Sequence, residues 1–161
     1  MALTSVNLLQ RGDNDLLVRY IDMLRACIAK VKKAHPFIIH SWVVLPDHFH
    51  CVIELPEGDV DFAMQLRLIK FTFSKVLPKL EFQYDVRKAR GERGIWQSRY
   101  WEHLIKNEAD YRTYVDYVHI NPVMHGLVVC VKNWPFSTFH ALLEQGIDDQ
   151  DWGQRHARCF D

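Results

Sequence analysis

The chain has 161 residues, 48% hydrophobic and 25% charged, with 20 Lys and Arg against 20 Asp and Glu. That length suits one domain with its own core, and a net charge of zero argues against a protein that coats nucleic acid indiscriminately. No apolar run approaches the ~20 residues that cross a bilayer, and Met1 to Asn7 lacks a basic stretch leading into an apolar one, so the expected location is cytoplasmic, with no membrane partner. Cys27, Cys51, Cys130 and Cys159 are scattered without a C-x-x-C pair and read as reduced cysteines rather than a disulfide or zinc framework.

Leu3 to Leu9 reads as a strand, and Gly12 to Asp15 as a turn. Leu17, Tyr20, Ile21, Leu24, Cys27, Ile28 and Val31 recur at three- and four-residue spacing and predict one helix from Leu16, stopped by Pro36. Phe37 to Leu45 is β-branched and aromatic, Pro46-Asp47 turns the chain, and Phe49 to Leu55 continues as strand. A second helix is predicted from about Val60 to Val76, with Phe62, Leu66, Ile69, Phe73 and Val76 on one face. Glu81 to Gly94 reads as a loop, and Trp96 to Ile105 as the next strand. A third helix starts near Glu108 and is expected to end near Asn121, because a residue preceding proline is pushed out of the helical region. The rest, through Trp134 to His140, reads as a short apolar tail.

The order β-α-β-β-α-β-α predicts an α+β domain of the ferredoxin-like kind: a split β-α-β arrangement with an antiparallel sheet and helices mainly on one face. One domain is expected over 1–161, with its core at about 3–140 and a C-terminal tail at 141–161.

His48-Phe49-His50 is the most informative stretch. Residues two apart on a strand share a face, so one rigid element aims two imidazoles at one point, as a metal site requires. Two histidines merely packed or solvated on a strand remain the alternative. Tyr117 and Asn121, four apart on the third helix, share a face and can point toward the same imidazoles. A divalent ion held by His48, His50 and Asn121 would keep positions open for phosphate oxygens, with Tyr117 as the nucleophile. Tyr111 and Tyr114 compete with Tyr117, since aromatic residues at helical spacing also build cores, and His119 and His125 are available as surface histidines. Asp47 can orient an imidazole or simply serve the turn after Pro46.

Between Arg67 and Lys106 there are ten basic residues (Arg67, Lys70, Lys75, Lys79, Arg87, Lys88, Arg90, Arg93, Arg99, Lys106) and four acidic ones (Glu81, Asp85, Glu92, Glu102), an excess of six. A basic surface can bind phosphates on a globally neutral protein. Arg67, Lys70, Arg87, Lys88, Arg90 and Arg93 are its candidate DNA-binding residues.

The segments Val43-Val44-Leu45-Pro46-Asp47-His48-Phe49-His50, Leu55-Pro56-Glu57-Gly58-Asp59, Ile95 to His103, Val115 to Val123 and Trp134 to His140 closely resemble, in that order, the REP-associated tyrosine transposases. These are bacterial relatives of the single-strand insertion-sequence transposases, within the HUH nuclease superfamily. The resemblance covers about residues 3 to 140. It implies His48 and His50 as metal ligands, Tyr117 as nucleophile and Asn121 in the place of a third ligand, with Mg2+ or Mn2+ as the ion. The implied activity is cleavage and rejoining of single-stranded DNA at palindromic hairpins through a 5′-phosphotyrosine. The implied partner is that hairpin DNA, met in the cytoplasm at the nucleoid by a monomer or homodimer. Family members commonly carry a basic, aromatic segment ahead of the first strand, whereas this sequence starts almost directly at Leu3, so substrate recognition is less defined than the chemistry.

Two other classes compete with this expectation. One is a non-catalytic hairpin-DNA-binding protein on the same scaffold. The other is a small zinc hydrolase, which lacks a carboxylate at ligand spacing.

Overall fold

A computed structural model describes residues 1–79, 93–147 and 152. Among them β1 spans Ala2–Asn7, α1 Leu16–Arg19, α2 Ile21–Ala34, β2 Ile38–Val44, β3 His48–Glu54, α3 Phe62–Val76, β4 Trp101–Leu104, α4 Glu108–Met124 and α5 Phe139–Glu144, with a 3-10 turn at Val131–Asn133. The four strands form one sheet in the order β2-β3-β1-β4, and every neighbouring pair is antiparallel. This is the ferredoxin-like order expected: α1 and α2 carry the chain from β1 past β3 to the edge at β2, and α3 carries it from β3 to the other edge at β4.

Side-chain alternation assigns the two faces. Ala2 and Val6 of β1, Trp42 and Val44 of β2, and Phe49, Cys51 and Ile53 of β3 join Leu24, Cys27, Leu66, Ile69 and Phe73 in the main core, so α2 and α3 cover one face. Leu3, Val43 and Val52 point the other way and meet Val118, Tyr111, Tyr114 and Tyr117, so α4 covers the opposite face. His48 and His50, in phase with Val52, lie under α4.

Three boundaries depart from expectation. The predicted first helix is broken at Tyr20 (φ −109°, ψ 33°) into α1 and α2. Leu17 N–H donates to Pro46 O at 3.1 Å, which pins the short first piece to the β2-β3 turn while α2 follows the sheet. The strand expected over Trp96–Ile105 is regular only at Trp101–Leu104. Trp96 bridges Leu8 and turns inward, its Nε1–H donating to Ser74 Oγ at 3.0 Å, and that anchoring interrupts the ladder before β4. The third helix does not stop at Asn121 but runs through Pro122 to Met124. Proline there removes one hydrogen bond, to Val118 O, in the last turn only, and the helix closes beyond it: Leu127 N–H donates to Pro122 O (2.9 Å) and Gly126 N–H to Val123 O (3.0 Å). Gly126 adopts φ 68°, the left-handed conformation such a closure needs.

Cys27 and Cys51 are free and buried, as read from the sequence, whereas Cys130 is disulfide-bonded, which corrects the expectation of four reduced cysteines. Among the described residues no helix is long and apolar enough to cross a membrane.

Candidate active site

The β2-β3 hairpin places the imidazoles. Leu45 N–H donates to His48 O at 2.8 Å across Pro46-Asp47, so β3 begins directly at His48, and Leu8 N–H donates to Asp47 O at 2.8 Å to tie the turn to β1. His48 and His50 are buried, with 3% and 6% exposure, and their ring centroids are 4.9 Å apart. His48 Nδ1 donates to Asp47 Oδ1 at 2.5 Å. Arg11 Nη2 lies 3.2 Å from the same nitrogen, but a guanidinium only donates, so the shorter Asp47 contact decides the tautomer. Arg11 instead pairs with Asp47 Oδ2 at 3.0 Å. His50 Nδ1 meets Ser5 Oγ at 2.5 Å, across the register that sets Ser5 opposite His50. The Asp47 carboxylate makes His48 Nδ1 a donor and leaves its Nε2 a lone pair, while the Ser5 hydroxyl can accept from or donate to His50 Nδ1, and where it accepts, His50 Nε2 carries a lone pair as well.

Electrostatics keep those lone pairs unprotonated. Burial pushes His50 down to about 3, helped by the nearby His48, His125 and Arg11 and opposed only by the Asn121 side chain. Burial also lowers His48, against the opposing pull of Asp47. Burial would raise the Asp47 carboxyl, but hydrogen bonds from Arg11 and His48 and their charges hold it below the usual carboxylate range. Neutral imidazoles oriented by a carboxylate and a hydroxyl are the form in which histidine binds a metal.

Helix α4 brings the remaining groups. Its three tyrosines each meet a different histidine: Tyr111 donates to His40 Nδ1 at 3.3 Å, Tyr114 packs on His103 with centroids 4.4 Å apart, and Tyr117 packs on His50 at 5.4 Å. Only Tyr117 stands at the His48-His50 pair. Asn121 is buried, its Nδ2 donating to Tyr117 O at 3.3 Å, while Asn121 Oδ1 and His50 Nε2 are both buried without a hydrogen-bond partner. With His50 protonated on Nδ1, both are acceptors without a donor, which is costly inside a protein, and a cation coordinated by both removes the penalty.

A third imidazole also reaches the cluster. His125 stands at the C-cap of α4, its ring 4.9 Å from His48, and one nitrogen each of His48, His50 and His125 lie within 4.8 Å of one another. Sequence reasoning left His125 on the surface. The signal was present, since Tyr117, Asn121 and His125 recur every four residues along one helix face, but an expected helix end at Asn121 concealed it. Ser5 and Arg11 were missed for another reason: they come to the site only by strand pairing and loop packing.

The proposed basic surface is divided by the fold. Arg67 is exposed on α3. Lys70 is half-buried, its Nζ donating to Gln97 O at 2.7 Å, and burial lowers its pKa. Arg93 closes the C-terminal end of α3, donating to the carbonyls of Ser74, Leu77 and Pro78. Arg87, Lys88 and Arg90 lie outside the described residues. Lys70 and Arg93 thus both donate to backbone carbonyls of the folded chain. Replacing Arg93 by Ala is expected to destabilise the fold by ~1–3 kcal/mol, since it strands helix carbonyls, and to leave the salt dependence of DNA binding unchanged. Urea denaturation and a salt titration check the two halves of that expectation.

A family model described as "Transposase IS200 like" matches residues 15–121, a span that contains both histidines, Tyr117 and Asn121. The chain is 47% identical to a REP-associated tyrosine transposase of Escherichia coli strain K12, over 92% of this chain and 81% of that one. It belongs to the REP-associated tyrosine transposases. This transposase is also 39% identical to a putative REP-associated tyrosine transposase of Haemophilus influenzae, over 90% of its own length and 83% of the relative's. Its fold superposes with a TM-score of 0.80 on a solved REP-associated tyrosine transposase bound to a REP hairpin, at 45% identity, covering 94% of this chain and 84% of that one. The ferredoxin-like fold and the membership expected from sequence motifs are thereby established, and the chain is a DNA transposase.

Proposed function

We propose that this transposase cuts and rejoins single-stranded DNA at REP hairpins, with Tyr117 as the nucleophile and His48 and His50 holding a divalent metal. The carrying observation is that, of three tyrosines on one helix, only Tyr117 faces the two neutral, oriented imidazoles. The solved relative bound to a REP hairpin supports the substrate class. His48, His50 and either Asn121 Oδ1 or His125 would ligate the ion. The unpartnered His50 Nε2 and Asn121 Oδ1 fit such a group. When bound, the metal neutralises and orients phosphate oxygens as a Lewis acid. Of the two ions the resemblance implies, nitrogen donors favour Mn2+, since Mg2+ prefers an oxygen shell.

The chemistry assigned to the protein is one displacement. Tyr117 Oη forms a bond to the scissile phosphorus as its proton leaves, the bond from phosphorus to the 3′ oxygen breaks, and that oxygen takes up a proton to become a free 3′-OH. The 5′ end stays on Tyr117 as a phosphodiester, so the bond energy is conserved and attack by a 3′-OH reverses the step. Burial of the imidazoles and their Asp47 and Ser5 contacts hold the site before substrate arrives, which lowers the reorganisation required during reaction. The setting is the cytoplasm, at the nucleoid, with the catalytic domain spanning 1–161 around a core at about 3–140, as a monomer or homodimer.

The direct test uses an end-labelled REP hairpin with single-stranded flanks, Mn2+ and a denaturing gel. A labelled band that migrates with the protein and disappears on protease treatment is expected. Hairpin binding with neither adduct nor cleavage would favour the non-catalytic binding protein instead. Affinity should fall with salt, and replacing Arg87, Lys88 and Arg90 together by Ala should flatten the log-log slope by about two, at ~0.7 per phosphate contact on a single strand.

A further inference from the structure

We infer that Trp101, backed by His103 and Tyr114, is the stacking platform for an unpaired base next to the scissile phosphate. This rests on the hairpin-DNA reading and deepens it by naming where the single-stranded flank is gripped. Trp101 is 51% exposed, whereas Trp42 and Trp96 are core residues at 6% and 9%. It lies on β4, the sheet edge, yet it faces the active site: Trp101 is opposite Ser5, and Ser5 is opposite His50. Residues directly opposite in antiparallel strands share a face, and strands are ~4.8 Å apart, so the backbones of Trp101 and His50 stand about 10 Å apart on the sheet face that α4, with Tyr117, covers. That is the reach of a neighbouring nucleotide, not of a distant site.

The indole is held ready. His103, two residues on and hence on the same face, lies nearly parallel to it, with centroids 6.1 Å apart and planes 11° off. The His103 ring is fixed in turn by Tyr114 at 4.4 Å and by donation from Nε2 to Asp110 Oδ2 at 3.0 Å. Glu102, the acidic neighbour, points to the opposite face and accepts from the Tyr100 hydroxyl at 2.8 Å, so its carboxylate does not meet a phosphate beside the indole. Arg99, exposed two residues earlier, is available to one. An aromatic face rigidly backed on one side and wet on the other suits a nucleobase whose own face is uncovered. Bases inside the hairpin stem have both faces stacked, so the platform selects the flank.

The test moves a 2-aminopurine through the flanks of a REP hairpin, one position at a time. Wild type is expected to quench it strongly at one position near the cleavage site, Trp101→Ala to lose that quenching, and Trp101→Phe to retain most of it. Affinity for the tailed hairpin should fall about tenfold in Trp101→Ala, while a hairpin without tails binds equally. An abasic residue at the quenched position should weaken wild type as much as Trp101→Ala does and add nothing to that variant. Unchanged quenching and affinity in Trp101→Ala, with adduct formation intact in wild type, would remove the platform and leave the proposed function standing. If wild type neither binds nor cuts the hairpin, both fall together.

Discussion

Tyr117→Phe is expected to bind a REP hairpin and Mn2+ as the wild type does, yet to form no protease-sensitive DNA adduct and no cleaved strand, a loss on the order of a thousandfold or more. The substitution removes one oxygen and leaves the ring that packs on His50 with centroids 5.4 Å apart, so the helix and sheet contacts survive. The discriminating controls are Tyr114→Phe and Tyr111→Phe. Their hydroxyl-bearing rings sit with His103 and His40, not with the histidine cluster, and both variants should form adduct at near wild-type rates. An adduct that persists in Tyr117→Phe and vanishes in Tyr114→Phe would transfer the nucleophile to Tyr114.

The second large effect is loss of the metal. The double variant His48→Ala, His50→Ala should show no Mn2+ binding by calorimetry and no cleavage; full affinity would dispose of the site. Both rings are buried, so the variants also affect the fold: removing His50 strands Ser5 Oγ, and each single variant is expected to cost ~1–3 kcal/mol in urea denaturation. Wild-type affinity must therefore be compared under conditions where the variants are folded. The third donor is decided by His125→Ala against Asn121→Ala. His125 is exposed at a helix end, so its removal leaves packing intact, and a 10- to 100-fold loss of Mn2+ affinity in that variant alone would assign it the role. Asp47→Asn should weaken Mn2+ binding over a similar range by releasing His48 from its tautomer.

The sequence patterns of this chain by themselves placed β1 to β3 and the bulk of α2, α3 and α4, but not the break at Tyr20, the short β4 or α5. Alternation in β3 was enough to set His48 and His50 on one side, and four-residue spacing was enough to set Tyr117 and Asn121 on another, because both are properties of local backbone geometry. The motif order across residues 3 to 140 also specified the family. Which tyrosine meets the imidazoles was not local. Tyr111, Tyr114 and Tyr117 are equivalent on the helix, and only the packing of α4 across β2 and β3 assigns a different histidine to each. His125 joined the site because a helix carried through Pro122 and closed at Gly126, an outcome of tertiary burial overriding a backbone preference. Lys70 and Arg93 read as phosphate ligands from charge alone, but charge does not say which carbonyls a folded chain leaves unsatisfied: Lys70 donates to Gln97 O and Arg93 to the carbonyls at the end of α3. Trp101 shares the face of the histidine pair for a similar reason: the 4-1-3 strand order sets it opposite Ser5 and Ser5 opposite His50, a register that hydrogen bonding between distant strands decides.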